Sequence, residues 1–351
     1  MVPKPVRPWR PDAATPAERI AWPDDFGPHF LVFVDVEEEF DWSAPLDRRH
    51  RSTRAMRAFA PAHRRFAAAG VGLNCMVDYP VAVDPASVAI LAECVTDGRS
   101  EIGAQLHAWV TPPHHEVVDP FTSHAGNLPL ALEAAKLDTL TEAIATSFGA
   151  RPRIFRSGRY GLGPSSLALL AERGYRLDSS MRALHDYGDT GGMDFSGIDS
   201  HGFRRDGMIE LPLTSVYTGL LRGRGESLYP KAGRWPHGRG AMARLGLLNR
   251  IPLTPEGVSI GDALAGIDRA VADSVRLLTF SFHSPTLELG HTPYVRTARD
   301  REMFDRWWDR VFDRLARHGV TPTTMADVLA AADRSAGQPD HGARGPALSG
   351  H

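Results

Sequence analysis

Residues 29–42, HFLVFVDVEEEFDW, constrain the possible fold more than any other stretch. Phe30 to Val34 form an aromatic and β-branched run, which predicts a strand buried on both faces. The run passes straight into acid, with Asp35, Glu37, Glu38, Glu39 and Asp41. Strand side chains alternate faces, so Asp35 and Glu37 share one face while Val36 points the other way into packing. Two carboxylates at the mouth of an apolar strand repel each other. A shared proton, a cation or a metal must offset that repulsion.

The rest of the chain alternates strand-like and helix-like segments. Strands are expected at 29–36, 71–77, 100–110, 153–161, 174–180, 208–217, 275–283 and 319–325. Helices are expected at 47–69 (with a possible kink at Pro61), 85–97, 128–148, 164–173, 260–274 and 297–318. Residues 182–207 read as a loop. This rhythm runs without a composition break and predicts one parallel α/β domain, with a barrel preferred over an open sheet. Residues 1–28, rich in Pro and Arg, read as an N-terminal arm. The barrel spans 29–333, interrupted by a basic insertion at about 219–257, and the polar 334–351 tail is expected to be disordered.

Composition excludes several function classes. The formal net charge of −2 provides no global basic field for nucleic acid or anionic lipid. No apolar run approaches the roughly 20 residues of a membrane span. The first residues lack an apolar signal region, so a soluble cytoplasmic protein is expected. Cys75 and Cys94 lack metal or disulfide spacing and read as buried thiols.

In barrels, reactive groups sit at the C-terminal ends of strands. The unusual polar residues fall there: Asp35 and Glu37, His107, Arg156 and Arg159, Asp178, and His283. Four phrases in order, DVEEEF (35–40), SEIGAQLHAW (100–109), FRSGRYG (155–161) and FSFHSP (280–285), resemble the motifs of the polysaccharide deacetylase family (carbohydrate esterase family four). The likeness is especially to the cytoplasmic bacterial branch of surface-polysaccharide gene clusters, whose first motif reads D-V-E. It implies a distorted (β/α)7 barrel and hydrolysis of an N-acyl group, usually acetyl, from an amino sugar.

Carried over by residue, the resemblance makes Asp35 the general base and Arg156 its orienting partner. His283 becomes the acid that protonates the leaving amine, and the backbone at Tyr160 helps hold the oxyanion. Glu37 and His107 become ligands of a divalent metal, in the first place Zn2+. The chain departs from the family at the second motif, where Gln105 stands in place of the usual first histidine and Thr111 lies four residues after His107. The third ligand is therefore open among His114, His115 and His124, with His114 taken first. The loop 288–296 suggests substrate contacts from His291 and Tyr294. Two other readings compete: a related barrel that cleaves a C–N bond of a small cyclic amide, and a metal-free barrel that binds glycan as a scaffold.

Overall fold

In the computed structural model, which describes residues 8–336, the acidic stretch opens the central sheet as β1, His29–Val36. The other strands are β2 (Leu73–Val77), β3 (Glu101–Leu106), β4 (Ile154–Ser157), β5 (Leu177–Asp178), β6 (Phe203–Arg205), β7 (Met208–Glu210), β8 (Ser215–Thr218), β9 (Asn249–Pro252), β10 (Leu277–His283) and β11 (Thr321–Pro322). Strands β10-β1-β2-β3-β4-β5-β7 lie side by side and all parallel, with β6 antiparallel at the edge. The sheet curls into a distorted half-barrel. Its two edges are drawn together by Thr214 and Thr279, whose backbone amides each donate to the other's hydroxyl at 2.8 and 2.9 Å.

Alternation along β1 sorts the core. Phe30, Val32, Val34 and Val36 face outward into a cluster with Phe59, Phe66, Phe304 and Trp308 from the surrounding helices. Leu31 and Phe33 face inward with Met76, Ile154, Leu177 and Ile209, where Met325, Val328 and Leu329 of helix Met325–Ala336 fill the interior. Asp35 and Glu37 continue this inward series past the apolar layer.

Several expectations are corrected. The helix expected over 47–69 begins only at Arg54 as a 3-10 turn and becomes α-helical at Phe59–Ala68. Pro61 sits in the first α-helical turn, where its missing N–H costs nothing. The strand expected at 208–217 is two strands, because Pro212 cannot donate to a ladder. After it the chain leaves the main sheet, and β8 pairs antiparallel with β9. The expected loop 182–207 contains β6, and the last strand is only β11, followed by a helix that sequence periodicity did not reveal. Of the arm, Glu18–Ile20 pack along β6, with Ile20 N donating to Gly202 O at 3.0 Å, and Ile20 and Phe26 are buried. The helix to Ala336 runs into the expected tail; residues beyond it lie outside the described ones. Both cysteines are free and buried. Among the described residues no helix is long and apolar enough to cross a membrane.

One buried acid far from the strand ends gives a stability test. Glu133, in the first turn of helix Leu130–Phe148, is 7% exposed and accepts from Ser166 Oγ. Burial outweighs this bond and the nearby Arg173, and pushes its pKa up to about 7 from 4.5. A carboxyl raised in the fold stabilises fully below its unfolded pKa and loses that contribution as pH rises through the folded one. Glu133→Gln should therefore match the native chain at and below about pH 4 and exceed it by about 3 kcal/mol at pH 8. Urea midpoints across that range read the gap; a gap independent of pH would reject the assignment.

Candidate active site

The parallel register of β1 and β10 sets Asp35 directly beside His283. His283 Nε2 lies 3.7 Å from Asp35 Oδ2. From β4, Arg156 reaches across the interior and donates through Nη1 to Asp35 Oδ1. Its Nε donates to Ser179 O at 3.0 Å, and its guanidinium lies 4.7 Å from the Phe33 ring centroid. The guanidinium is thus fixed on three sides, and it orients the Asp35 carboxylate.

The other nitrogen of His283 is held by a residue the sequence did not single out. Glu256 Oε2 lies 2.6 Å from His283 Nδ1, while Oε1 accepts from His283 N at 3.0 Å and from Thr286 Oγ1 at 2.6 Å. Glu256 follows Pro255 at the end of the insertion, with no strand or motif beside it. Its role depends on a contact across 27 positions of chain. Burial alone would lower the His283 pKa, but the carboxylates of Glu256, Glu37 and Asp35 outweigh it and push it up to about 10. The ring is therefore an imidazolium near neutral pH, with Nδ1–H given to Glu256 and Nε2–H turned toward Asp35.

Beside this pair stands Glu37. Its Oε2 accepts from Gln105 Nε2 at 3.3 Å and lies 3.5 Å from His107 Nε2. Burial, reinforced by Asp35 and Glu38, pushes its pKa up to about 8 against the pull of His283 and His107. His107 is 2% exposed, and its Nδ1 lies 2.8 Å from Glu38 Oε2. Glu38 in turn accepts from Trp109 Nε1 at 2.9 Å, and its backbone amide donates to Asp78. This buried cluster fixes the ring so that Nε2, not Nδ1, turns to Glu37. Gly158 packs flat against the same ring, where a Cβ would fall 2.2 Å from His107 Cδ2. The second glutamate of the acidic run, Glu38, is thus a support for His107, which the acidic pattern alone did not distinguish from its neighbours.

Asp35, Glu37, Gln105, His107, Tyr160, His283 and Tyr294 all line one cavity of about 600 Å³. Tyr160 follows Arg159 in a turn at the end of β4, and both adopt left-handed backbone (φ 58° and 55°), an unusual conformation for side-chain-bearing residues. Tyr294 meets Trp42 edge-on at the rim, with ring centroids 5.8 Å apart. Two expected residues are placed elsewhere. His114 does not line this cavity; its Nε2 lies 3.1 Å from Arg51 Nη2, and Lys136 and Arg48 are nearby. Burial and those cations lower its pKa against the pull of Glu116, whose carboxylate is taken by Arg48 and Lys136. His291 stands outside the cavity lining, with Nδ1 3.4 Å from Glu39 Oε2.

The donors suit a divalent cation. Asp35 and Glu37 offer carboxylate oxygens within 4.8 Å of one another, and His107 Nε2 lies 3.5 Å from Glu37 Oε2. Glu37 Oε1 and Gln105 Oε1 are buried without a hydrogen-bond partner. A carboxylate, an imidazole and an amide oxygen, two of them with orphaned buried atoms, form a donor set that a cation would satisfy.

No family model and no curated protein matches the chain. Solved structures do. A putative polysaccharide deacetylase from Mycobacterium smegmatis is 16% identical, covers 93% of this chain and 96% of its own, and superposes with a TM-score of 0.51. The likeness is one of fold. A probable polysaccharide deacetylase from Pseudomonas aeruginosa PAO1 is 13% identical over 90% of this chain and 93% of its own, with a TM-score of 0.49. Puue allantoinase is 13% identical over 91% and 93%, with a TM-score of 0.48.

Proposed function

We propose that this chain is a metal-dependent hydrolase that removes an N-acyl group, in the first place acetyl, from an amino sugar of a surface polysaccharide or its precursor. The observation that supports this most is the pairing of Asp35 with His283 in one register, each clamped by its own partner, Arg156 or Glu256. An amide carbonyl is a poor electrophile and its amine a poor leaving group, so the reaction needs a base, an acid and electrostatic help at the oxygen.

Asp35 takes a proton from the attacking water, whose oxygen bonds to the acyl carbon. The Tyr160 turn faces the oxygen on which charge develops. His283 then gives its Nε2 proton to the sugar nitrogen as the C–N bond breaks, releasing the amine and the carboxylic acid. Glu37 and His107 are the metal ligands in this reading, with Gln105 beside them in place of the expected His114. A divalent cation, zinc first, supplies Lewis-acid charge at that point when bound.

Purified protein should release acetate from N-acetylated oligosaccharides, carry a transition metal, and lose turnover to a chelator with recovery on adding zinc. Undiminished turnover in a sample shown to be metal-free would remove the metal from the scheme. Turnover of a cyclic ureide with none on any acetamido sugar would favour the cyclic-amide reading.

A further inference from the structure

The same cavity has a cationic wall that the acyl chemistry does not use. Arg159 and Arg182 both line it. Arg182 Cζ lies 5.5 Å over the Tyr160 ring, which stacks on Tyr187 at 5.0 Å. The Tyr160 phenol is within electrostatic reach of Arg182 and of the Asp35–Arg156 pair, so this wall is close to the reacting groups.

Among the described residues neither guanidinium pairs with a carboxylate. Arg182 makes one long side-chain hydrogen bond there, donating to Tyr187 Oη at 3.4 Å. Arg159 donates to neutral oxygens, Ser123 Oγ and Pro120 O. Arg48, Arg57, Arg173 and Arg205, by contrast, each pair with a carboxylate. His124 adds a neutral hydrogen-bonding ring beside it: it is 1% exposed, burial and Arg159 push its pKa down to about 4, and among the described residues neither ring nitrogen has a hydrogen-bond partner. Sequestering guanidinium groups from water without a counter-charge is costly, and their fork geometry suits carboxylate or phosphate oxygens. Of the acids that line the cavity, Asp35 is engaged by Arg156, Glu256 by His283 and Glu37 by Gln105, while Asp41 and Asp119 accept from Ser43 and Thr122.

We propose that Arg159, Arg182 and His124 form an anion subsite, and that the N-acylated sugar bears a carboxylate or phosphate, on itself or on the adjoining unit, that docks there. The substrate class part of this inference rests on the deacylase reading above; the subsite itself does not.

The test is calorimetric binding of N-acetylglucosamine, N-acetylglucosamine 6-phosphate and N-acetylmuramic acid at fixed ionic strength, alongside acetate release from each. At least one anionic probe should bind about tenfold tighter than the neutral sugar or better, as expected for a charged hydrogen-bond pair. The two anionic probes separate phosphate from carboxylate. Arg182→Gln and Arg159→Gln should each erase most of the preference, acting on KM more than on kcat, while Arg182→Lys retains part of it. Melting curves check that each variant folds, and any one folded variant suffices. Equal affinity for all three probes, no binding of either anion, or a preference that survives both glutamine variants would overturn the subsite. Anion-selective binding with no acetate release would leave the subsite standing and remove the deacylase reading. Acetate release with no anion preference would do the reverse.

Discussion

Asp35→Asn should lower deacylation by about 10²–10⁴-fold, the usual contribution of a positioned base. The substitution keeps the size and an acceptor for Arg156 Nη1, but removes the charge that pulls a proton from water. It also leaves a guanidinium that is 1% exposed without a counter-charge, which should cost stability of about 3–5 kcal/mol. Activity must therefore be read below the melting transition, with folding checked by circular dichroism. Full turnover in the folded variant would refute the role of Asp35. A loss of stability alone, with turnover intact, would make the Asp35–Arg156 pair structural.

His283→Ala should cost about 10²–10⁴-fold on an N-acetyl sugar, because the amine would leave without its proton. The loss should be far smaller on an aryl acetate, whose phenolate leaves unaided. Equal losses on both substrates would show that His283 does something other than protonate the leaving group. Glu256→Gln tests the same acid through its pKa. Burial works to lower the ring's pKa, and the carboxylates, Glu256 first, push it up to about 10. Removing that charge should lower the pKa and bring the alkaline limb of the rate profile down toward neutrality. The protonated form is the active one, so activity falls as pH rises through the new value. An unmoved alkaline limb would separate Glu256 from the acid.

The fold class was legible because both of its signals are local. Strand and helix periodicities repeat along the chain, and β1, β2, β4 and β10 stand within a few residues of their expected places. Where local pattern failed, a single residue or a distant partner was responsible. Pro212 broke one expected strand into β7 and β8. The helix Met325–Ala336 was missed because its apolar side is short and its partners, Leu31 and Phe33 among them, lie at the other end of the chain.

The site divides in the same way. Alternation within residues 29–37 is enough to place Asp35 and Glu37 on a common face, since a strand's period of two leaves no other arrangement. The roles of Glu38, Gln105, Glu256 and Arg182 could not be read from neighbours in sequence. The first three depend on a pairing across a strand or a loop, Glu38 with His107, Gln105 with Glu37 and Glu256 with His283, and Arg182 on having no carboxylate partner among the described residues. A sequence records which side chains are near along the chain, whereas charge, burial and hydrogen bonding depend on which are near in space. For this protein the first placed the two acids at the strand's end, and the second chose the partners that surround them.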